Sequence, residues 1–342
     1  MADGKVPIFS YTETIHNKTY EGIDPSSKDL RTQGKVILIT GASGGLGRTI
    51  ALSFAKSGPM ALILLGRNSN ALLQTEKSIK AGYENIVVKS YKLELCDSGD
   101  VHQVFQRVAR EFGRIDILVH AAGVLPSIKH LNQADSFALM DGYKTTVVGT
   151  LAVAQAFVEA NPKPADAVLI DDEILTEDEN EDKNKKTQNK PKEQKPPVEK
   201  TITFINLTTA GIFYPPFNKM GAYVSSKMAA AKLLECFASE NQHVRLHQVH
   251  PGFIDTPMSR QLKAKLEMPF PFDDISLPSD FVVWIASPQA AFLHNKLVFA
   301  CWDVKELKSR EKQIFGNGKP GTGELWFGLQ GFPRYINGNP AF

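Results

Sequence analysis

Cysteine is scarce in this sequence: Cys96, Cys236 and Cys301 are the only three among 342 residues. An odd number at wide separations gives neither a disulfide framework nor a zinc-ligand spacing, which fits a reducing compartment, and no metal site is expected. Cys236 and Cys301 stand in apolar runs and are expected as buried thiols. Excess charge is also lacking. The formal net charge is +2, too close to balance for a nucleic-acid partner to be argued from charge. No apolar run approaches the roughly 20 residues that cross a bilayer. The opening "MADGKVPIFSYTETIH" has no cationic start followed by an apolar run, so no secretory leader is expected. No internal repeat is found. A cytoplasmic protein without a membrane partner is the resulting expectation.

What is present is an alternation. Residues 1–33 are polar without strong periodicity and are read as an arm lying on the main domain. "GKVILIT" (34–40) is a short, continuous apolar run rich in β-branched residues, the pattern of a strand buried on both faces. A helix is predicted over 48–58, a strand over 61–66, a helix over 69–81, a strand over 85–93 and a helix over 98–112. A strand and turn over 115–123 and one long helix over 135–160 follow. Then come a strand at 201–207, a helix at 219–240, a strand at 244–252 and a last strand at 295–303. Such alternation implies right-handed βαβ units and a doubly wound parallel sheet, a Rossmann-type α/β fold, over 34–305. Residues 306–342 are read as a C-terminal extension. Within the domain, 163–200 breaks the pattern with an acidic half, "DDEILTEDENED", and a lysine- and proline-rich half, "KNKKTQNKPKEQKPPVEK". Neither half can bury much apolar surface, so a disordered, charged insertion is expected.

Two stretches carry chemistry. "TGASGGLG" (40–47) lies between the first strand and the first helix. Glycines there let the backbone approach a pyrophosphate, and the helix start offers free N–H groups. The second strand ends "ILLGRN": no acid is present to hold a ribose 2′-hydroxyl, and Arg67 stands where a 2′-phosphate would lie, which favours NADP(H). Further on, Tyr223 and Lys227 are four residues apart on one helical face. A free tyrosine titrates near pH 10, and a nearby ammonium is expected to lower that value toward a useful acid–base range.

With these motifs in order, the chain resembles the short-chain dehydrogenases/reductases over about residues 34–305. "TGASGGLG" looks like the family's TGxxxGxG turn, "HAAG" (120–123) like its NNAG turn, "YVSSK" like its YxxxK signature and "HPGFIDT" (250–256) like its PGxxxT segment. "YTETIHNKTYEGIDP" and "VFACWDVKEL" further resemble a fungal subgroup. The resemblance implies a cofactor site made of Gly41, Ser43, Gly45, Leu46, Gly47, Arg67, Glu94, Leu95, Ala121, Ala122, Gly123, Pro251, Gly252, Ile254 and Thr256, with Tyr223 and Lys227. Tyr223 would exchange a proton with a carbonyl or alcohol oxygen, and Lys227 would lower its pKa and hold the nicotinamide ribose. Ile254 and Thr256 would position the carboxamide end. The family also forms dimers or tetramers through helices flanking the sheet, so a homodimer or homotetramer is implied.

The chain departs from the family pattern at its supporting groups. "INLTTAG" puts Thr209 on the catalytic serine, with Thr208 as the alternative if the register slips. "YKTTVVGT" puts Thr146 where an asparagine normally binds a water of the proton relay. Threonine keeps a donor and an acceptor at both places. His120, replacing an asparagine, is read as a structural residue. "MPFPF", "FVVW" and "AAFLH" within 258–292 are either an apolar lid over a hydrophobic substrate or core. The implied function is NADP(H)-dependent interconversion of a ketone and a secondary alcohol on a small, hydrophobic molecule of the secondary-metabolite kind. A non-redox dehydratase, isomerase or cyclase and a non-catalytic cofactor-binding scaffold are the alternatives.

Overall fold

The structure, a computed structural model, describes residues 10–162, 202–267, 271–317 and 322–326, and the backbone of two short strands at 334–336 and 339–341. The expected charged insertion at 163–200 lies outside the described residues, as do Met268–Phe270 and much of the C-terminal extension.

Seven parallel strands form the sheet: β1 (Val36–Thr40), β2 (Ala61–Gly66), β3 (Val87–Lys92), β4 (Ile117–His120), β5 (Ile202–Leu207), β6 (Val244–His250) and β7 (Leu297–Phe299). Their order is β3-β2-β1-β4-β5-β6-β7, as the alternation implied. The strand direction of travel reverses between β1 and β4, which opens a crevice at the carboxyl ends of the strands. Successive residues of β1 face opposite layers. Ile37 and Ile39 enter a core with Phe54, Phe281 and Trp284, while Val36 and Leu38 enter a second core with Phe105, Phe157 and Phe204. Both faces of β1 are thus buried among apolar side chains, which explains the continuous apolar reading of this strand.

Five helices follow the first four strands: α1 (Gly45–Ser57), α2 (Ser69–Gly82), α3 (Ser98–Phe112), and, both after β4, α4 (Ser136–Tyr143) and α5 (Gly149–Glu159). The single helix expected at 135–160 is α4 and α5 joined through a π-turn, Lys144–Val148. Beyond them lie α6 (Gly221–Glu240), α7 (Pro257–Lys263), α8 (Ser276–Ala286), α9 (Val304–Ser309) and α10 (Glu311–Phe315).

One alternative left open by the sequence is decided here, and one expectation is corrected. "FVVW" sits in α8, wholly buried against α1, and "AAFLH" sits in a short 3-10 turn whose Ala290, Phe292 and Leu293 are buried; both stretches are core. Cys236 is exposed on α6, because only the opposite side of that helix faces the sheet.

The N-terminal arm is held by specific bonds. Ile15 bridges Trp302, and His16 donates its N–H to the Cys301 carbonyl at 2.9 Å. Asp274 N–H donates to the Asn17 carbonyl at 2.8 Å, and the Thr19 hydroxyl donates to the buried Asp280 of α8 at 2.7 Å.

Candidate active site

The glycine turn between β1 and α1 brings main chain to main chain. Gly41 has φ +72°, and a Cβ there would stand 2.8 Å from Ala122 N. A Cβ on Gly47 would collide with the Gly41 carbonyl. No side chain caps α1, whereas Asn68 and Asp97 cap α2 and α3. The first N–H groups of α1 are therefore left for another acceptor, and Gly44 beside them faces open space. That is the fit a pyrophosphate requires.

The crevice is a cavity of about 560 Å³. Every residue expected at the site lines it except Thr146: the turn residues Gly41, Ser43, Gly45, Leu46 and Gly47, then Arg67, Glu94, Leu95, Ala121, Ala122 and Gly123, then Thr209, Tyr223 and Lys227, and Pro251, Gly252, Ile254 and Thr256. Thr146 is buried in the π-turn. Among the described residues its hydroxyl has no hydrogen-bond partner, and its carbonyl accepts from the Thr150 hydroxyl at 2.6 Å. The neighbouring Thr145 is the π-turn residue on the cavity wall. The Thr256 side chain caps α7 by accepting from Ser259 N–H at 3.2 Å, so what Thr256 offers the cavity is chiefly backbone and methyl.

Thr209, rather than Thr208, is hydrogen-bonded with the Tyr223 hydroxyl. It also accepts from Gly211 N–H at 3.2 Å, which fixes its rotamer. Lys227 is buried and donates to the Leu207 carbonyl at 3.0 Å. Burial pulls its pKa down to about 8. Tyr223 behaves differently from the expectation: burial pushes its pKa up to about 12, and the bond with Thr209 offsets only part of this. Loss of water around the phenolate outweighs a lysine whose ammonium is directed at a backbone carbonyl.

His120 has a structural place, as read from the sequence. Thr150 gives its one hydrogen to the Thr146 carbonyl, so it must accept from His120 Nε2–H at 3.1 Å. Nδ1 is then the acceptor of the Thr40 hydroxyl at 3.0 Å, and Thr40 Oγ1 accepts Ala122 N–H at 3.1 Å. Burial, aided by Lys227, pulls the imidazole down to about 3, so it stays neutral throughout this chain of bonds. The chain ties the cavity floor to the π-turn.

Several site residues were missed in the sequence. A recess adjoining the cavity is lined by Ser43, Arg67, Asn68, Ser69, Asn70 and Lys92. Lys92 arrives there because it pairs with Gly66 in the β2–β3 register, information no local motif carries. Arg67 and Lys92 are cations, and the recess opens at the start of α2, so it suits a phosphate group. At the other edge of the sheet, His250, Asp273 and Cys301 reach the cavity among Tyr214, Phe217 and Phe299. Among the described residues there is no group of three or more metal-ligating side chains, and no helix is long and apolar enough to cross a membrane.

Comparison with known proteins agrees with this layout. A family model described as short chain dehydrogenase matches residues 35–170. The chain is 30% identical over 309 residues to the short chain dehydrogenase/reductase nsrO of Aspergillus novofumigatus, covering 89% of this chain and 92% of that one. It is 28% identical over 322 residues to the short chain dehydrogenase citE of Monascus ruber, covering 91% and 95%. Among solved structures, one of a short chain dehydrogenase from Shigella flexneri complexed with NADP superposes with a TM-score of 0.62 at 22% identity, covering 80% of this chain and 99% of that one. One from Escherichia coli complexed with NADPH gives 0.61 at 23% identity, covering 80% and 99%. At that identity the likeness to the solved structures shows the fold.

Proposed function

We propose that this chain, which belongs to the short-chain dehydrogenase/reductase family, is an NADP(H)-dependent oxidoreductase that interconverts a ketone and a secondary alcohol. The observation that carries the reading is the Thr209–Tyr223 hydrogen bond, set in one cavity with Lys227 and the uncapped glycine turn. NADPH, when bound, supplies the hydride. The chain's own residues do the rest. Thr209 and the Tyr223 hydroxyl converge on the oxygen of a substrate carbonyl. Tyr223, neutral at pH 7, donates its proton to that oxygen as the carbon is reduced, and takes it back in the reverse direction. Lys227 holds the ribose edge with its ammonium, and its proximity favours the phenolate once the proton has left. The relay role expected of Thr146 is retained in this reading, with Thr145 as the π-turn residue that lines the cavity, its hydroxyl 3.6 Å from the Cys96 thiol.

Arg67, Lys92 and Ser43 support NADP(H) over NAD(H), since the recess they line is cationic. Glu94 lies 4.0 Å from Arg67 and steadies it without filling the recess. The NADP and NADPH complexes of the similar bacterial structures point the same way. The fungal relatives favour a secondary-metabolite substrate, and a cytoplasmic location is part of this reading. Exposed Leu131, Phe137, Met140 and Val148, on and around α4, support a homo-oligomer.

The test is a fluorescence titration with NADPH and NADH in parallel. NADPH is expected to bind at least tenfold more tightly, and Arg67→Ala to remove most of that preference. In a screen of apolar ketones, Tyr223→Phe is expected to lower turnover by about 100-fold or more while leaving NADPH affinity within threefold. Binding of neither nucleotide would defeat the reading.

A further inference from the structure

The dinucleotide reading uses the cavity from β3 to the segment after β6 that carries Pro251, Gly252, Ile254 and Thr256, and leaves the β7 end unassigned. Strands lie about 4.8 Å apart, so the sheet from β3 to β7 spans roughly 29 Å, more than one cofactor needs across it. The wall of the unassigned end is apolar and aromatic, with Tyr214, Phe217, Phe253, Met258, Leu262 and Phe299. Two stacked pairs stiffen it: Phe253 on Phe272 at 4.8 Å, and Phe299 on Trp302 at 4.7 Å. An apolar wall carrying several aromatic rings favours a flat, apolar ring system.

Into this apolar end projects one carboxylate. Glu94 and Asp273 are the carboxylates on the described cavity wall, and Glu94 stands at the opposite edge beside Arg67. Asp273 is fixed on both sides. Its backbone bridges Ile254, and its N–H donates to the Phe253 carbonyl at 2.8 Å. Its carboxylate sits so close over Gly252 that a Cβ there would collide with Oδ2. Among the described residues no cation and no side-chain donor pairs with it. Partial burial raises its pKa, and a backbone N–H of Phe253 offsets only part of that. Beside it, Cys301 is held as a neutral thiol, pushed up to about 12 by burial and then by Asp273. A half-buried carboxylate with so few donors is a strong acceptor that lacks its partner.

We propose that Asp273 recognises the remote end of the substrate: it accepts a hydrogen bond from a hydroxyl carried by a flat, apolar ring ketone, and it excludes substrates with a carboxylate at that position. The proposal rests on the reading of the cavity as a carbonyl-reduction site. Thr209 follows β5 and Cys301 follows β7, two strand spacings or roughly 10 Å apart, which matches a molecule of about two fused rings with an oxygen at each end. A like charge placed beside an unpaired carboxylate in apolar surroundings is repelled strongly, so the same group serves selection and rejection.

The experiment is calorimetric binding of 2-naphthol, 2-methoxynaphthalene and 2-naphthoate to the full-length protein, with and without NADPH, repeated on Asp273→Leu and Asp273→Asn. 2-Naphthol is expected to bind at least tenfold more tightly than the methyl ether, with 2-naphthoate weakest. Asp273→Leu should bring naphthol and its ether within twofold. Asp273→Asn keeps an acceptor without the charge, so it should retain the naphthol preference and bind naphthoate at least fivefold better than the unaltered protein. A hydroxyl preference that survives Asp273→Leu, naphthoate bound as well as naphthol, or no binding of any of the three would overturn the assignment. If the Leu variant does not fold, the naphthoate response of the Asn variant decides alone. The titrations without nucleotide separate this outcome from a failure of NADPH to bind, which would fall on the proposed function instead.

Discussion

Burial sets the charge state of the Tyr223–Lys227 pair before any ligand arrives. Both side chains have been taken out of water, and each is pushed toward its neutral form: the lysine down to about 8, the tyrosine up to about 12. The lysine value has a thermodynamic consequence. Because its pKa is lower folded than unfolded, Lys227 destabilises the free protein fully below pH 8, and the cost fades as pH rises from about 8 to the ordinary lysine value near 10.4. At about 1.4 kcal/mol per pKa unit, Lys227→Met should stabilise the free protein at pH 7 by roughly 3 kcal/mol, less whatever the freed Leu207 carbonyl costs. Thermal unfolding at pH 7 and pH 9.5 checks this: the variant's advantage should shrink at the higher pH while its NADPH affinity is lower at both. The identity of this pair was legible in the sequence, since spacing puts both groups on one helical face. Their titration was not, because the dominant influence is loss of water from a pocket whose walls come from distant segments.

At the level of elements, the site depends on two places where backbone geometry departs from the ordinary. The glycine turn before α1 leaves no room for a single methyl, so Gly47→Ala should abolish NADPH binding and lower the melting temperature, read by the same titration and a thermal scan. The π-turn between α4 and α5 is the other. Such turns are rare and concentrate at functional sites. Here it buries Thr146 with an unpartnered hydroxyl and turns Thr145 to the cavity. Thr146→Val removes an unsatisfied polar atom at nearly constant volume, so stability should hold or rise by up to about 1 kcal/mol. Comparison of its turnover with that of Thr145→Val tells which hydroxyl serves proton transfer. The glycine turn could be read from sequence because one local segment contains its whole cause. The π-turn could not: the apolar spacing over 135–160 reads as one helix, and the inserted residue shifts only the register. Lys92 and Asp273 were missed for a similar reason, since β-register brings one and a bridge to Ile254 the other. "FVVW" was open between lid and core because a short apolar run does not say what covers it.

At the scale of the molecule, the sheet order divides the cavity by task, with phosphate-binding cations at the β3 edge, acid–base groups near the middle and an aromatic, acidic pocket at the β7 edge. The exposed apolar residues around α4 lie outside this cavity, so pairing there would leave it free. Light scattering should give at least twice the monomer mass, and Phe137→Glu with Met140→Glu should reduce it without loss of NADPH binding. The arm adds a further dependence. Residues 15–19 bond to Cys301 and Asp274, at the acidic end of the pocket, and to Asp280 within α8. Removal of residues 1–20 is expected to leave nucleotide affinity within threefold and to weaken 2-naphthol binding at least fivefold. The same clasp also imposes an order in time. Partners about 260 to 290 positions apart cannot meet until the later of the two has left the ribosome. The nucleotide end, built mostly from earlier residues, can take shape first, and the end that chooses the substrate is sealed afterwards, by a segment made well before its partners.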